Sequence, residues 1–451
     1  MKSAGGTDMR GFALADVDLS SFDRQFRARC RVQHPDRYRL LAALPHDARR
    51  VARGSGVSYV AASFGADAIS QSLDAFDRFL AFDDTSGVLE VEAGARIGDV
   101  QRFALARGWY LPVAPGHPAA TIGGCIAADV HGKNPARDGT FRAVVERIEL
   151  VVAGGETVIA DRATHGDLFA ATFAGFGLTG IITRATLRLA RPPAALVLRR
   201  VPVASLADAA RVLREAANAP VLYGWHDGRA HRFGRGVIRI GLASDAEDAA
   251  VPRIPDASRD LPRTIDPLPF VLWNRAGIAA ANTWLGVRWC RAGQAPMRLA
   301  DALFPLNDAR TYFAGFGKSG MAEAQWLVPH ARFDAFADAL AERVARDTPR
   351  IALIASKLFA GEAEGFSFDG AGVALAIQVP APAETAQRAF LEALAEIALA
   401  HGGRANLVKE STLDAATARK AIAHFDVYRA RLDACNPGGL HTSELARRLE
   451  L

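Results

Sequence analysis

Three glycine-rich loops, each set beside a short apolar run, restrict this chain more than any other feature. The first is Arg53-Gly54-Ser55-Gly56-Val57-Ser58-Tyr59. The second runs from Pro115-Gly116-His117-Pro118 to Thr121-Ile122-Gly123-Gly124, then through Ala128 into His131-Gly132-Lys133-Asn134. The third is Gly175-Phe176-Gly177-Leu178-Thr179-Gly180, followed by Ile181. Loops of glycine and hydroxyl residues can turn several backbone N–H groups toward one anion, and a missing Cβ lets the backbone close on it. Each loop alone reads as a tight turn. Together they need a common explanation, and a pyrophosphate is an anion that would use them.

Two glycine strings point elsewhere and fail on context. Gly175 to Gly180 spells G-x-G-x-x-G, but it follows a predicted helix (Asp167 to Ala174) and opens a predicted strand (Gly180 to Leu189). A nicotinamide-binding fingerprint needs strand before helix, so that the helix N-terminus faces the pyrophosphate. Gly315-Phe-Gly317-Lys-Ser-Gly320 mimics the end of a phosphate-binding loop, yet Tyr312 stands where the first glycine belongs. It reads as a flexible turn.

The segment up to Leu44 reads as polar and irregular, with an arginine-rich patch from Arg24 to Arg39. Beyond Val51, strands and modest helices alternate. Gly87 to Gly94 has the period of a half-buried strand, and Ile97 to Gly108 that of an amphipathic helix. Gly154-Gly155 joins Ile148–Val152 to Thr157–Ala160 as a hairpin. Arg191-Pro192-Pro193 marks a boundary. Later come predicted helices at Ser205–Ala217, Phe333–Arg346 and Glu384–Gly402, and strands at Gly236–Leu242, Ile351–Phe359, Gly372–Val379 and Arg404–Val408. Residues Ser244 to Pro269 read as a polar, proline-rich loop. The fold class is α+β.

Half of the residues are hydrophobic and 23% are charged, a folding composition. The net charge is +5, but basic residues are scattered in pairs without a long basic run, so no nucleic-acid partner is expected. A mildly positive field suits an anionic substrate or a phosphate-bearing cofactor. The four cysteines have no metal spacing and read as free thiols; no metal is expected. No apolar run reaches the length of a membrane span and no signal peptide is evident, so a cytoplasmic protein is expected.

At these loops the chain resembles the FAD-binding half of the vanillyl-alcohol oxidase / p-cresol methylhydroxylase superfamily. Arg53–Tyr59 resembles its first pyrophosphate loop, and Thr121–Gly124 and Gly177–Ile181 its later flavin contacts. His131-Gly-Lys-Asn134, Lys357-Leu-Phe359, Lys409 and the terminal Glu444-Leu-Ala-Arg-Arg-Leu-Glu450 are similar to the decaprenylphosphoryl-ribose 2-oxidase branch. The resemblance implies an FAD-binding domain in two parts, residues 1–195 and 405–451. An α+β substrate domain with an antiparallel sheet, residues 196–404, would lie between them. It implies bound FAD and oxidation of a secondary hydroxyl to a ketone. The cofactor contacts it implies are Arg53–Tyr59, Pro115, Gly116, Thr121–Gly124, Ala128, His131, Gly132, Asn134, Gly177, Gly180 and Ile181.

Departures from the family pattern matter too. Val57 stands where many relatives carry the histidine that bonds FAD covalently, so FAD is expected to be non-covalent unless His131 or His117 attaches it. Ala376 matches a cysteine facing the flavin, Ala374 a neighbouring asparagine, and an active-site tyrosine corresponds to an apolar residue near Leu303. The polar pocket walls are altered, which puts the lipid-linked sugar in question but not the flavin chemistry.

Flavin reduction builds negative charge while substrate oxidation sheds a proton, so the site wants a fixed cation and a base. Lys409, His131 and Lys357 are the catalytic candidates; Tyr59, Gln325, Lys357, Ala376 and Lys409 are the substrate candidates. Each has a plainer reading. Lys409 would be a surface lysine, Lys357 an edge-strand lysine facing water, and His131 a satisfied core histidine. Tyr59 would be a packing ring, and Gln325 would lie on the solvent face of a strand. Glu323 is a weaker candidate.

The leading function is FAD-dependent alcohol oxidation on a small molecule or lipid-linked sugar such as a polyprenyl-phosphoryl pentose. A partner short-chain reductase would complete an epimerisation, and the protein would sit in the cytoplasm or peripheral to the membrane. A second reading keeps the flavin and takes a phenolic or hydroxy-acid metabolite, with oxidation or oxidative decarboxylation. The third is a flavin-binding scaffold without chemistry.

Overall fold

The structure, a computed structural model, describes residues 13–45, 47–244 and 254–451. Its three sheets use consecutive stretches of chain. The first sheet holds β1 (Leu14–Ser20), β2 (Arg27–Gln33), β3 (Arg50–Arg53) and β4 (Ile69–Ser72), in the order β1-β2-β4-β3. The second holds β5 (Phe79–Asp83), β6 (Val88–Glu92), β7 (Val145–Val151), β8 (Thr157–Asp161) and β9 (Ile181–Arg188), in the order β5-β6-β9-β7-β8.

The third sheet has eight strands: β10 (Ala195–Val203), β11 (Val221–His226), β12 (Gly236–Ser244), β13 (Gly293–Met297), β14 (Met321–Pro329), β15 (Leu353–Ala360), β16 (Ala371–Pro380) and β17 (Arg404–Ala405). Their order is β13-β10-β12-β11-β15-β16-β14-β17, and every pairing is antiparallel. The mixture of sheets and helices is α+β, as the sequence suggests.

The N-terminal segment corrects its sequence reading. Arg27–Gln33 is not irregular: its arginines alternate with inward residues, and Cys30 and Val32 are buried. That period of two builds β2, which pairs antiparallel with β1 and parallel with β4. The number of arginines hid the alternation. At the other end of the chain, Arg50 N–H donates to the Leu440 carbonyl at 2.8 Å and Thr442 N–H to the Arg50 carbonyl at 3.0 Å. The last residues thus extend the first sheet beside β3.

The eight-stranded sheet has two unlike faces. One packs on helices Leu206–Glu215, His330–Asp347 and Thr385–Ala400. In His330–Asp347, Phe333, Phe336, Ala337, Leu340 and Val344 repeat at helical spacing and are buried. Helix Leu206–Glu215 starts where the Ser205 hydroxyl accepts from Asp208 N–H at 3.1 Å. Trp326, Leu358, Leu375 and Ile377 fill this face. Residues one position away point to the opposite face, which is open.

Another correction concerns the expected strand Arg404–Val408, of which only Arg404–Ala405 is extended. The Asn406 side-chain oxygen accepts from Val408 N–H at 3.2 Å, turning the chain there. Of the expected loop Ser244–Pro269, residues 245–253 lie outside the described residues. The described remainder holds one short 3-10 turn, Ala257–Arg259. Among the described residues no helix is long and apolar enough to cross a membrane.

Candidate functional site

A cavity of about 410 Å³ lies between the glycine loops and the open face of the eight-stranded sheet. Of the residues singled out from the sequence, Gly54–Tyr59, Pro115, Gly116, Thr121, Gly123, Gly124, Ala128, His131, Gly177 and Gly180 line it. So do Gln325, Lys357, Ala376 and Lys409 from the other side.

Arg53, Ile122, Gly132, Asn134 and Ile181 stand behind the wall instead. Arg53 donates to Ser63 Oγ at 2.8 Å. Ile122 and Ile181 belong to the core. Asn134 donates to the carbonyls of Ala217 and Ala219, both at 2.7 Å, and so fixes the loop to the third sheet's layer. Gly132 contributes its carbonyl to Lys357.

The loops are shaped for close approach. A Cβ on Gly54 would stand 2.2 Å from Thr121 Oγ1, and Gly56 takes φ +71°, in the left-handed region. Ser55 Oγ and His117 Nε2 are buried polar atoms without a protein partner, both from residues that line the cavity. Bare backbone, hydroxyls and unmet polar atoms together fit the phosphates and ring edges of FAD.

Beneath the loops, the directions of four hydrogen bonds follow from one backbone N–H. Val408 N–H requires Asn406 to present its oxygen, so the Asn406 amide nitrogen donates to Gln325 Oε1 at 2.7 Å. Gln325 Nε2 then donates to His131 Nε2 at 3.2 Å. That leaves the ring proton on Nδ1, which faces Lys357 Nζ at 3.1 Å and the Gly132 carbonyl at 3.3 Å. Lys357 itself donates to the Gly132 carbonyl at 2.8 Å. An ammonium facing an N–H would clash, so Lys357 is the neutral amine, accepting from His131.

Burial points the same way. It holds Lys357 well below the ordinary lysine range, and the nearby positive Lys133 and Lys409 lower it further. Burial also holds the His131 imidazole well below its usual value. Lys133, buried and facing the cavity, is lowered to about 7 by burial and by Lys409. The His131 ring rests on Phe359, 5.2 Å away edge-on, and on Phe368 at 6.0 Å.

A second polar chain runs beside the first. The Tyr312 hydroxyl donates to Gln378 Oε1, and Gln378 Nε2 donates to Glu323. Glu323 then pairs with Lys409 at 3.4 Å. The Lys409 ammonium sits 3.7 Å from the Tyr59 ring centroid, a cation–π contact.

These placements decide several plainer readings. Lys357 lies on β15, between β11 and β16, and not on an edge. Gln325 is 4% exposed, so its strand face is not solvent. Leu303 is buried in the core of the second sheet, whereas the tyrosine beside the polar chain is Tyr312. Sequence reasoning also passed over Lys133, Gln378 and Asn406. Gln378 had a signal, as a lone amide in an apolar strand; Asn406 had its place three residues before Lys409.

Comparison with known proteins agrees with this geometry. A family described as FAD binding domain matches residues 39–161. The chain is 28% identical over 415 residues to decaprenylphosphoryl-beta-D-ribose oxidase of Mycolicibacterium smegmatis, covering 89% of each chain. It is 30% identical over 366 residues to an uncharacterized protein in the mprA 5′ region of Streptomyces coelicolor, covering 77% of this chain and 98% of that one. A D-lactate dehydrogenase of Anaerostipes hadrus is 26% identical over 142 residues, 30% of either chain.

Proposed function

The chain belongs to the FAD-dependent oxidoreductases of the vanillyl-alcohol oxidase / p-cresol methylhydroxylase type, and from that premise we propose that it oxidises a secondary alcohol to a ketone on a polyprenyl-phosphoryl pentose or related sugar. The observation that carries this reading is Lys357 at the cavity wall, held by His131 and Gly132 in an arrangement that calls for the neutral amine. Bound FAD supplies the two-electron acceptor.

The protein's own residues manage the proton and the charge. Lys357 Nζ turns its one lone pair from His131 Nδ1–H, which stays with the Gly132 carbonyl at 3.3 Å, to the substrate hydroxyl and accepts its proton as the carbinol C–H bond breaks and hydride passes to the bound acceptor. Gln325 and Asn406 fix the tautomer that makes this possible. Lys409, and Lys133 in its protonated form, place positive charge where negative charge builds; of the two carboxylates among the described residues that line the cavity, Glu323 pairs with Lys409 and Asp129 is held by Arg142 and Ser367. Gly54–Tyr59, Pro115–His117, Thr121–Gly124 and Gly177–Gly180 hold the cofactor.

The alanines at 374 and 376 support a second reading, in which the site takes a phenolic or hydroxy-acid metabolite. Anaerobic mixing of FAD-loaded protein with each class separates the two. Loss of the oxidised-flavin band with a short-chain polyprenyl-phosphoryl pentose, and none with phenols or hydroxy acids, is the expected result. The reverse would replace the sugar reading. A keto-sugar product calls for a short-chain reductase as partner, and a lipid-linked substrate places the protein at a cytoplasmic membrane surface.

A further inference from the structure

Beyond Lys357 the cavity continues across the sheet toward β11 and β12. Tyr223 and Arg239 stand opposite each other on those strands, and Trp225 stands opposite Ala355. Trp289, at the end of helix Arg275–Trp289, joins them in lining this lobe. The Arg239 guanidinium lies 5.5 Å from the Tyr223 ring centroid and 5.1 Å from that of Trp289. Trp289 meets Trp225 edge-on at 6.1 Å. On its other side Arg239 neighbours Arg200 of β10.

The lobe is one-sided in its polar chemistry. Arg239 Nε, Tyr223 Oη and Trp225 Nε1 of its lining are buried with no partner, and so is Nε of Arg200, which neighbours Arg239 but does not line the lobe. Three of these groups are donors only, and the tyrosine hydroxyl can donate. Among the described residues neither arginine forms an ion pair; Arg200 donates to the Arg288 carbonyl at 3.3 Å. Buried donors left unmet are costly, and acceptors alone would satisfy this set.

We propose that this lobe binds an oxyanion of the substrate, a phosphoryl or carboxylate group, with Arg239 as its principal partner and Tyr223 and Trp225 beside it. The inference rests on the reading that an alcohol is oxidised at Lys357, and it adds what the far end of that substrate carries. β12 lies two strands from β15, so about 10 Å separates the two ends of the site at the usual strand spacing. The strand between them is β11, whose Tyr223 and Trp225 line the cavity, with Trp225 opposite Ala355 of β15. A molecule carrying its anion at a distance from the reacting hydroxyl matches this layout. Aromatic walls around the guanidinium suit an apolar group attached beyond the anion.

Equilibrium binding to the FAD-loaded protein tests this without turnover. The probes are a short-chain polyprenyl phosphate, a carboxylate of equal chain length, and the uncharged polyprenol. The expected result is that Arg239→Met weakens binding of at least one anion about 30-fold or more, while binding of the polyprenol is weak and unaffected. Tyr223→Phe, which keeps the ring, should weaken the same anion about fivefold or more. The phosphate and carboxylate arms identify which oxyanion the lobe prefers. Arg239→Lys should recover part of the loss, which a folding defect would not allow. Anion binding unchanged in both Arg239→Met and Tyr223→Phe, or polyprenol binding as tight as phosphate, would overturn the proposal. Arg239-dependent anion binding in a protein whose flavin no alcohol reduces would remove the oxidation reading and leave the anion site standing.

Discussion

Lys357 Nζ lies 3.1 Å from His131 Nδ1, and the hydrogen bonds around the imidazole make the lysine the acceptor of that contact. The pair therefore holds one base facing the cavity instead of two cations. Burial lowers both groups, which favours the uncharged form of each. Protonating either one would add a positive charge beside Lys133 and Lys409.

The pH dependence follows from the sign of that shift. Because the folded-state value of Lys357 lies well below 10.5, the amine reaches its base form below the ordinary lysine range. The rate of anaerobic flavin reduction should rise with pH and level off well short of 10.5. A rate still climbing through the ordinary lysine range would contradict a neutral Lys357. Lys357→Met should slow flavin reduction by about 10²–10⁴-fold with FAD still bound, read by stopped-flow absorbance.

Asn406 acts through Gln325. Asn406→Asp keeps the acceptor for Val408 N–H but has no proton to give Gln325 Oε1. The Gln325 amide would then reverse and present its oxygen to His131 Nε2, moving the ring proton. Flavin reduction should fall roughly 5- to 150-fold, and ¹⁵N NMR should show the His131 proton on Nε2. An unchanged tautomer with unchanged rate would refute the relay.

Gly54 tests the cradle. A Cβ there would stand 2.2 Å from Thr121 Oγ1, whose hydroxyl also accepts from Gly124 N–H at 3.3 Å and caps helix Ile122–Ala127. Gly54→Ala must displace that cap, at a cost of about 1 kcal/mol, and crowd the loop. FAD affinity should drop about tenfold or more in a flavin titration. Equal affinity would show that this loop does not close on the cofactor.

Val57 has no atom that could bond a flavin covalently. Acid precipitation should therefore leave the flavin in the supernatant. A yellow pellet would point to His117 or His131, the two histidines that line the cavity.

The cradle was legible because its signals are local. Glycines, hydroxyls and neighbouring apolar strands sit within a few residues of one another, and the helix-before-strand order around Gly175–Gly180 excluded a nicotinamide site. The relay was not legible as a unit. His131 and Gln325 are 194 positions apart, and His131 and Lys357 are 226 apart. Only strand register places them on one face. Lys357 stood out as a polar residue in an apolar run and Gln325 by its family resemblance, but choosing between sheet edge, solvent face and interior needed the order β11-β15-β16-β14. Asn406 was hidden inside an expected strand that its own side chain ends. β2 was missed for a different reason: exposed arginines masked a period of two.

In the proposed reaction hydride leaves a carbinol carbon while Lys357 takes the hydroxyl proton. The most direct measurement is anaerobic stopped-flow reduction of FAD-loaded protein by a short-chain polyprenyl-phosphoryl pentose, with hydrogen or deuterium on the carbinol carbon. Loss of the oxidised-flavin band, several-fold slower with deuterium, and a ketone as product are expected. No reduction, or reduction without an isotope effect and without a ketone, would contradict it.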